Sequence, residues 1–344
     1  MLNKVELTKK FKKNQLIAIK IHFGEKHNHA FIRPIYVRRL VDRIKEAGGK
    51  PFLTDCNTLY VGSRQEAVTH IMTAIENGFV PVVVGVPIVI GDGLRGNSER
   101  KIKIDLNIYK EVNIGSEIVQ ADSLIAFTHF KGHELSGFGG TLKNLGMGCA
   151  ARSGKLAQHS NLSPKINRKK CKGCSECIDW CPEGAISLWN QKAKIDPEKC
   201  IGCGECIQIC PYGFVKIQWD ENAEMFQKKM VEYAYGALKG KRNKSVFLNF
   251  LMNITPYCDC YGYSDTPIVS DIGILSSTDP VAIDQAGVDL INQQPGNINS
   301  ILKTNLATGS DKFRGIFPEI NWEVQLDYGE KIGLGSRDYE LVEV

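Results

Sequence analysis

The chain of 344 residues is long enough for about two domains, and its 43% apolar and 24% charged residues exclude a disordered, collagen-like or coiled-coil protein. The net charge of +5 at pH 7 gives no reason to expect nucleic-acid binding. No stretch approaches the roughly 20 apolar residues that span a bilayer, and the opening MLNKVELTKKFKK lacks the apolar core of a signal peptide. We therefore expect a cytoplasmic protein without membrane insertion.

The first 162 residues alternate strand-like and helix-like segments, the rhythm that builds a parallel sheet. The predicted strands are QLIAIKIHF, KPFLTD and VPVVVG. The predicted helices are IRPIYVRRLVDRIKEAGG and SRQEAVTHIMTAIENG, while EIVQADSLIAFTHF runs from a helix into a strand and GGTLKNLGMG opens another helix. This pattern predicts an α/β fold with a mostly parallel sheet and flanking helices.

Two cysteine runs of the form CxxCxxCxxxCP interrupt this pattern between Cys171 and Pro211. KKCKGCSECIDWCPEGAISL aligns with EKCIGCGECIQICPYGFVKI at an offset of 29 residues, and each copy ends in a strand-like segment. We therefore expect a module with approximate twofold symmetry. Eight of the twelve cysteines lie in these short, fixed spacings. In a chain without a signal peptide, that spacing favours metal binding over disulfides.

The spacing of the eight cysteines is typical of bacterial proteins with two 4Fe-4S clusters. In such proteins, each cluster takes three cysteines from one run and the proline-flanked fourth cysteine from the other run. We predict Cys171, Cys174, Cys177 and Cys210 as the ligands of cluster one, and Cys200, Cys203, Cys206 and Cys181 as the ligands of cluster two. A pair of zinc knuckles is the alternative, and the repeated three-plus-one spacing disfavours it.

The α/β pattern returns after the cysteine runs. ENAEMFQKKMVEYAYGALKG is a predicted helix and SVFLNFLMNITP a predicted strand; DIGILSS and the helix DPVAIDQAGVDLINQQ follow, with Pro280 at its first position after Asp279. We therefore predict a discontinuous α/β domain of residues 1–162 plus 221–344. An inserted ferredoxin-like domain with two 4Fe-4S clusters, residues 163–220, interrupts it.

Polar residues gather at the ends of the predicted strands, where open α/β sheets bind their ligands. They are His22 and Glu25, Asp55 and Asn57, and His129 and His133. His22 and Glu25 have an alternative role as a loop pair that caps the backbone, whereas the spacing of His129 and His133 suits binding of a cation. The glycines of SGFGGTLKNLGMG and the helix that follows predict an anion-binding nest, although the segment lacks the GK[ST] ending of a nucleotide-binding P-loop.

Two further cysteines, Cys258 and Cys260, follow a predicted strand in TPYCDCYGY. A CxC pair can chelate a soft metal through both sulfurs, and the alternative is two loop cysteines without a ligand. The candidate extra metal site comprises His22, His129, His133, Cys258 and Cys260. Lys143 is the candidate anion contact, with a surface lysine as its alternative.

Six segments carry a resemblance to a known family: KIHFGE, IRPIYVRRLV, TDCNTLYVGSR, GFGGTLKNLGMG, NITPYCDC and DIGILSSTDPVAIDQA. Through them the chain resembles the domain-of-unknown-function 362 family of iron–sulfur proteins over essentially its whole length. The resemblance implies an α/β fold that holds a bacterial ferredoxin-like insert. The broader fold of that family looks similar to the N-terminal domain of nickel-dependent lactate racemase. The family's name assigns no substrate.

The leading hypothesis is an iron–sulfur redox protein whose two clusters pass electrons to or from a metal or small ligand in the α/β domain. Whether this makes the chain an enzyme, namely an oxidoreductase, is open. The alternatives are a simple ferredoxin-type electron carrier and a metal or Fe–S assembly factor that uses the CDC thiols. The expected cofactors are two 4Fe-4S clusters and an additional metal ion. The expected partner is a redox protein or a small-molecule substrate.

Overall fold

The structure, a computed structural model, describes residues 2–344. Its strands are, in chain order, β1 (Leu16–Ile21), β2 (Lys50–Thr54), β3 (Glu99–Lys103), β4 (Glu111–Gly115), β5 (Ser123–His129), β6 (Lys131–His133), β7 (Gly137–Gly139), β8 (Lys165–Ile166), β9 (Ile186–Trp189), β10 (Lys192–Ile195), β11 (Val215–Lys216), β12 (Ser245–Leu251) and β13 (Gly273–Ser277).

The α-helices are α1 (Pro34–Glu46), α2 (Ala67–Glu76), α3 (Pro81–Val84), α4 (Ser116–Gln120), α5 (Thr141–Cys149), α6 (Arg152–His159), α7 (Glu176–Asp179), α8 (Glu205–Ile209), α9 (Ala223–Leu238), α10 (Pro280–Asn292), α11 (Lys312–Ile316) and α12 (Glu323–Lys331). Two short 3-10 helices span Leu7–Lys9 and Arg242–Lys244. Within the described residues, none of these helices is long and apolar enough to cross a membrane.

A five-stranded sheet lies between these helices, with the strand order β13, β12, β5, β1, β2. Strands β2, β1, β5 and β12 run parallel, and β13 pairs antiparallel with β12 at one edge. Strands β12 and β13 follow the cysteine runs in the sequence but complete the sheet that β1 begins. The predicted α/β class, a mostly parallel sheet with flanking helices, is confirmed. The four parallel strands bring their carboxyl ends to one edge, where this class of sheet binds its ligands.

The two faces of the sheet differ in residue size because side chains alternate along each strand. On β1, Ile17 and Ile19 face the side that α1 covers. Ala18 and the neighbouring Ala126 of β5 face the other side, in the core that α5 and α9 share. Lys20 points to that same side and is fully buried there, where its Nζ donates to Asn144 of α5 at 2.8 Å. A buried lysine in an apolar strand requires anionic or carbonyl partners.

Local sequence accounts for the helices that flank the sheet. In α1, Pro34 occupies the first helical position and Gly48, at φ +83°, follows the last turn. The apolar residues of α1 share one face at helical spacing: Val37, Leu40, Val41 and Ile44. In α10, the side chain of Asp279 accepts the N–H of Val281 at 2.8 Å, which confirms the predicted start of that helix.

One strand prediction is wrong. VPVVVG forms the short helix α3 rather than a strand, in spite of its three valines. Pro81 takes the first helical position, and Gly85 ends the turn in the left-handed conformation at φ +81°. These two end signals outweigh the β propensity of valine. Ile88, beyond the helix, makes the single bridge to Leu53 of β2 instead.

The segment from residue 165 to residue 216 forms short elements that pair among themselves. Strand β8 pairs with β11 and strand β9 with β10, both antiparallel, and the helices α7 and α8 lie in the two cysteine runs. Their buried side chains form a core of their own that includes Ile186, Ile207, Cys177 and Cys206. Leu59, from the loop after β2, is part of this small core.

Candidate functional site

The two cysteine runs fold into loops of matching backbone shape. Gly173 and Gly202 are left-handed, with φ of +67° and +70°, and so are Ser175 and Gly204, with φ of +69° and +77°. The members of each pair are 29 residues apart, so the sequence repeat is also a repeat of conformation. A Cβ atom at Gly173 would overlap the carbonyl oxygen of Gln191, so this turn requires glycine.

Each run contributes three cysteines to one cavity and its fourth cysteine to the other. One cavity is lined by Cys171, Cys174, Cys177 and Cys210. The other is lined by Cys200, Cys203, Cys206 and Cys181. These are the two sets of four that the sequence groups together. That they bind clusters stays a prediction.

The surroundings of the sulfurs bear on what these cavities can hold. The N–H of Ala185 donates to Cys181 Sγ at 3.2 Å, and the N–H of Phe214 donates to Cys210 Sγ at 3.3 Å. Burial raises the pKa of Cys177 to about 11, so an isolated thiol there stays protonated and a bound cation must displace the proton. Four soft sulfur donors with N–H donors to sulfur fit an iron–sulfur cluster.

Iron–sulfur clusters and zinc require different spacings of their thiol ligands. Among residues 2–344, no three His, Cys, Asp or Glu side chains lie close enough together to hold one metal ion. A structural zinc site needs four such ligands on a single ion. A cubane cluster binds its four thiolates to four different irons, so its ligands stand farther apart around a larger body. Zinc in these cavities would need the four thiols of one set to close on a single ion, whereas a cluster would not.

The second of these cavities lies against the α/β part of the molecule. Arg152 of α6 approaches Glu205, a residue of that cavity wall, at 3.7 Å, and its Nη2 donates to the carbonyl of Gln65 at 2.6 Å. The side chain of Gln208 donates to the same carbonyl at 2.6 Å. By contrast, Cys174 in the first cavity is exposed to solvent. The two cavities thus face different surroundings.

A second group of cysteines lies at the carboxyl edge of the sheet, in the loop after β12. The sulfurs of Cys258 and Cys260 are 3.1 Å apart and are not joined by a disulfide. The ammonium of Lys143, from α5, donates to Cys258 Sγ at 3.2 Å. His22, directly after β1, places Nε2 at 3.4 Å from Cys260 Sγ. The structure therefore brings four of the predicted residues together.

The hydrogen bonds of His22 fix its tautomer. Nδ1 accepts the N–H of Gly24 at 3.0 Å, so the proton of the neutral ring is on Nε2. Burial, and next the charge of Arg64, lower the pKa of His22 to about 3, which keeps the ring neutral. Nε2 is thus a donor toward Cys260 Sγ. In this tautomer it has no lone pair to offer a metal.

The charges around the thiol pair favour one thiolate. The hydrogen bond from Cys258, and next Arg64 and Lys143 acting against burial, hold the pKa of Cys260 below its usual range. The same hydrogen bond, followed by burial, raises the pKa of Cys258. Although burial opposes it, the two neighbouring sulfurs raise the pKa of Lys143, which stays an ammonium ion. The pair therefore shares one proton beside a fixed positive charge.

The two remaining histidines of the predicted metal site have other roles. His129 donates from Nδ1 to Asp259 at 2.9 Å and faces the carbonyl of Asn253 with Nε2 at 3.0 Å. It therefore holds the residue between the two cysteines, together with Lys131, whose Nζ is 3.1 Å from the same carboxylate. His133 accepts the N–H of Ser136 at 3.2 Å. No hydrogen bond in the described part of the chain joins either histidine to a thiol.

The predicted anion nest at the start of α5 is occupied by the protein itself. The carboxylate of Asp284, from α10, accepts the N–H groups of Thr141 and Leu142 at 2.7 and 2.8 Å. A Cβ atom at Gly140 would overlap this carboxylate, which explains the glycine there. The glycine run therefore seats a side chain rather than a ligand. Lys143, the predicted anion contact, contacts the sulfur of Cys258 instead.

Three residues of the site were not singled out from the sequence. Lys20 forms a buried ion pair with Asp55 at 2.9 Å. Arg64 lies 3.4 Å from the same carboxylate and donates to the Tyr60 hydroxyl at 2.7 Å. Tyr60 in turn donates to the carbonyl of Cys260 at 3.1 Å. The only sequence signal for Lys20 is its position in an otherwise apolar strand, and Arg64 and Tyr60 give none.

Comparison with known proteins agrees with the family resemblance. Residues 17–289 match the family described as Domain of unknown function (DUF362). No curated protein matches the chain. Among solved structures, the lactate racemase apoprotein from Thermoanaerobacterium thermosaccharolyticum aligns with 17% identity and a TM-score of 0.42, over 81% of this chain and 49% of that one. This chain thus spans about half of that protein, and the score does not establish a common fold.

Proposed function

The chain belongs to the DUF362 family, whose description names no activity, and we propose that it is an iron–sulfur redox protein. In this proposal, a ferredoxin-like insert holds two 4Fe-4S clusters and passes electrons to or from the α/β part. Cluster one is bound by Cys171, Cys174, Cys177 and Cys210, and cluster two by Cys200, Cys203, Cys206 and Cys181.

One observation carries the proposal. Each cavity is lined by three cysteines of one run and the fourth of the other, with similar space left between them. This exchange of the fourth ligand is how two-cluster ferredoxins hold adjacent cubanes, and adjacent cubanes pass single electrons. A pair of separate zinc knuckles would keep all four ligands of a site within one run.

The joint between the two parts supports electron passage across it. The loop after β2 touches both sides: Leu59 packs in the core of the insert, and the next residue, Tyr60, donates to the carbonyl of Cys260. Two partly buried hydrogen bonds, from Arg152 and Gln208 to the carbonyl of Gln65, fix the same loop. A carrier that only exchanged electrons with partners would need no such connection to a thiol site.

A soft metal on Cys258 and Cys260 is the second candidate for the terminus in the α/β part. The 3.1 Å approach of the two sulfurs favours chelation by the pair. The metal or Fe–S assembly factor would use the same thiols for transfer. The partner is in each case a redox protein or a small molecule that meets this edge of the sheet.

Metal analysis of anaerobically purified protein tests the proposal. We expect about eight irons and as many sulfides per chain, and a paramagnetic resonance signal after reduction. Cys203→Ser should lower the iron content by about half, because it removes a ligand of cluster two, and Cys174→Ser should do the same for cluster one.

The matched control is Cys149→Ala, which removes a buried cysteine that lines neither cavity. It should leave the iron content unchanged. Zinc in place of iron, or equal iron loss in all three variants, would contradict the proposal. Release of iron or another metal to an apo-acceptor would support the assembly factor instead.

A further inference from the structure

We propose that Cys258 and Cys260 form a reversible disulfide and that this dithiol is the terminus of the electron path. The inference deepens the proposed function and rests on it for the source of electrons. It concerns the chain's own sulfur atoms, so it assigns a reaction to the α/β part that requires no additional metal.

The geometry of the pair is close to that of a disulfide. The sulfurs are 3.1 Å apart, and a disulfide bond is about 2.0 Å long, so each sulfur moves by about half an ångström. The backbone between them is held in place: the N–H of Glu25 donates to the carbonyl of Asp259 at 3.0 Å, and His129 and Lys131 hold the carboxylate of the same residue. Bond formation would bring the two sulfurs together across a backbone segment that these contacts hold.

The atoms that surround the sulfurs suit a thiolate better than a chelated metal. Lys143 approaches one sulfur and His22 the other, each as a hydrogen-bond donor. Both donors stand where further metal ligands would be needed. A fixed ammonium ion and a neutral donor stabilise negative charge on sulfur, as reduced dithiols require.

The two cysteines are not equivalent in access. Cys258 is buried, with 4% of its surface exposed, whereas Cys260 is half-buried. Attack on a disulfide depends on which sulfur an incoming thiolate can reach. An external thiol or disulfide therefore meets Cys260 first, and Cys258 is the cysteine that closes the ring.

The redox step balances as follows. The Cys258–Cys260 bond breaks, two electrons enter the two sulfurs, and one proton is taken up from solvent. The products are the Cys258 thiol, which donates its proton in the sulfur–sulfur hydrogen bond, and the Cys260 thiolate, which also accepts from His22. Two reduced 4Fe-4S clusters supply one electron each, and a low-potential one-electron donor reduces them again. In the reverse direction the dithiol is oxidised by the same two one-electron steps.

Differential alkylation of the anaerobic holoprotein tests the disulfide, in a series of buffers with different ratios of reduced to oxidised dithiothreitol. We expect the two cysteines to become reactive toward the alkylating agent together as the buffer becomes more reducing. Both should become unreactive again when the buffer is made more oxidising. The variants Cys258→Ser and Cys260→Ser should each abolish the transition, and Cys149→Ala should keep it. The inference would be overturned if both thiols reacted at every ratio of reduced to oxidised dithiothreitol. It would also be overturned if they reacted only after a chelator had removed a metal.

Further variants test the role of Lys143 and the transfer of electrons from the clusters to the disulfide. Lys143→Met removes the ammonium ion that stabilises the reduced form, so half-reduction should need about tenfold more reduced dithiothreitol, and Lys143→Arg should restore the wild-type poise. Reduced methyl viologen should reduce the disulfide at least about tenfold more slowly in Cys203→Ser than in wild type. Equal rates would reject the role as terminus.

Iron content measured on the same samples separates the two proposals. Loss of the dithiol transition in a protein with full iron content rejects only the disulfide. A dithiol transition in a protein that never binds iron rejects the cluster relay and, with it, the claim that the pair ends an electron path.

Discussion

The cysteines of the insert and those of the sheet edge are arranged in opposite ways. In the insert, four thiols line each of two cavities, and backbone N–H groups donate to one sulfur of each set, Cys210 and Cys181. At the sheet edge, Lys143 and His22 contact the two sulfurs directly. Thiols around a cavity are suited to an external group, whereas thiols that contact the protein's own donors are suited to carry charge themselves.

The same contrast extends to stability. The α/β part has two large apolar cores, one on each face of the sheet. The insert has strands of two to four residues and a small core in which cysteines take part. A domain with so little apolar burial usually depends on disulfides or metal for its stability. The clusters proposed above would supply this stabilisation to residues 165–216.

Removal of iron therefore has the largest expected effect. Chelation under mild oxidation should unfold residues 165–216 while the sheet persists, because the sheet's cores lie elsewhere. Hydrogen exchange of backbone amides measures this directly: protection in the insert should be lost, and protection in β1, β5 and β12 should stay. Cys258→Ser combined with Cys260→Ser provides the control, since it should leave protection in the insert intact. Uniform loss of protection across the chain would refute the contrast.

The contact between the α/β part and the insert gives the next test of this contrast. Arg152 is buried, approaches Glu205 at 3.7 Å and donates to the carbonyls of Gln65 and Arg95. Arg152→Ala leaves a buried carboxylate and two carbonyls without their donor, so we expect a loss of about 3 kcal/mol in unfolding free energy by urea titration. Arg38→Ala removes a half-exposed pair with Asp42 and should cost less than about 1 kcal/mol. Equal losses would mean that the joint is not stabilised by Arg152.

The sequence predicts the fold of the sheet better than it predicts the contacts of the thiol site, for a physical reason. The cysteine runs are local patterns, and strand periodicity needs only neighbouring residues. The short helix α3 was missed because its Pro81 and Gly85 outweigh the valines between them. His22, Lys143, Cys258 and Cys260 were singled out from strand ends and a glycine-rich segment.

The roles at the sheet edge depend on partners far apart in the chain. The carboxylate of Asp284 accepts the N–H of Thr141 at the start of α5, 143 residues away in sequence. No local sequence pattern predicts this contact. Likewise, His129 was predicted to bind a metal but donates to Asp259, 130 residues away. The burial of Arg64 follows from the same long-range packing.

The smallest expected effect concerns the charge of His70, a buried histidine near the carboxyl edge of the sheet. His70, beneath the loop after β2, is fully buried, and its Nδ1 lies 3.3 Å from the Asn57 side-chain oxygen. Burial lowers the pKa of His70 to about 3, against about 6.5 in the unfolded chain. Between these values the unfolded state binds a proton that the folded state does not. The stability that neutral His70 allows is therefore fully present above pH 6.5 and is lost as the pH falls toward 3.

His70→Gln removes this titration. Between pH 6.5 and 5.5, urea titrations should show that the variant loses about 1 kcal/mol less unfolding free energy than wild type. His29→Gln, at an exposed histidine, should retain the wild-type slope. If His70→Gln and wild type lost stability in parallel, the ring would already be charged in the folded protein. Burial near the sheet edge would then not keep this histidine neutral. The difference between the sheet edge and the insert would then depend only on how their cysteines are arranged.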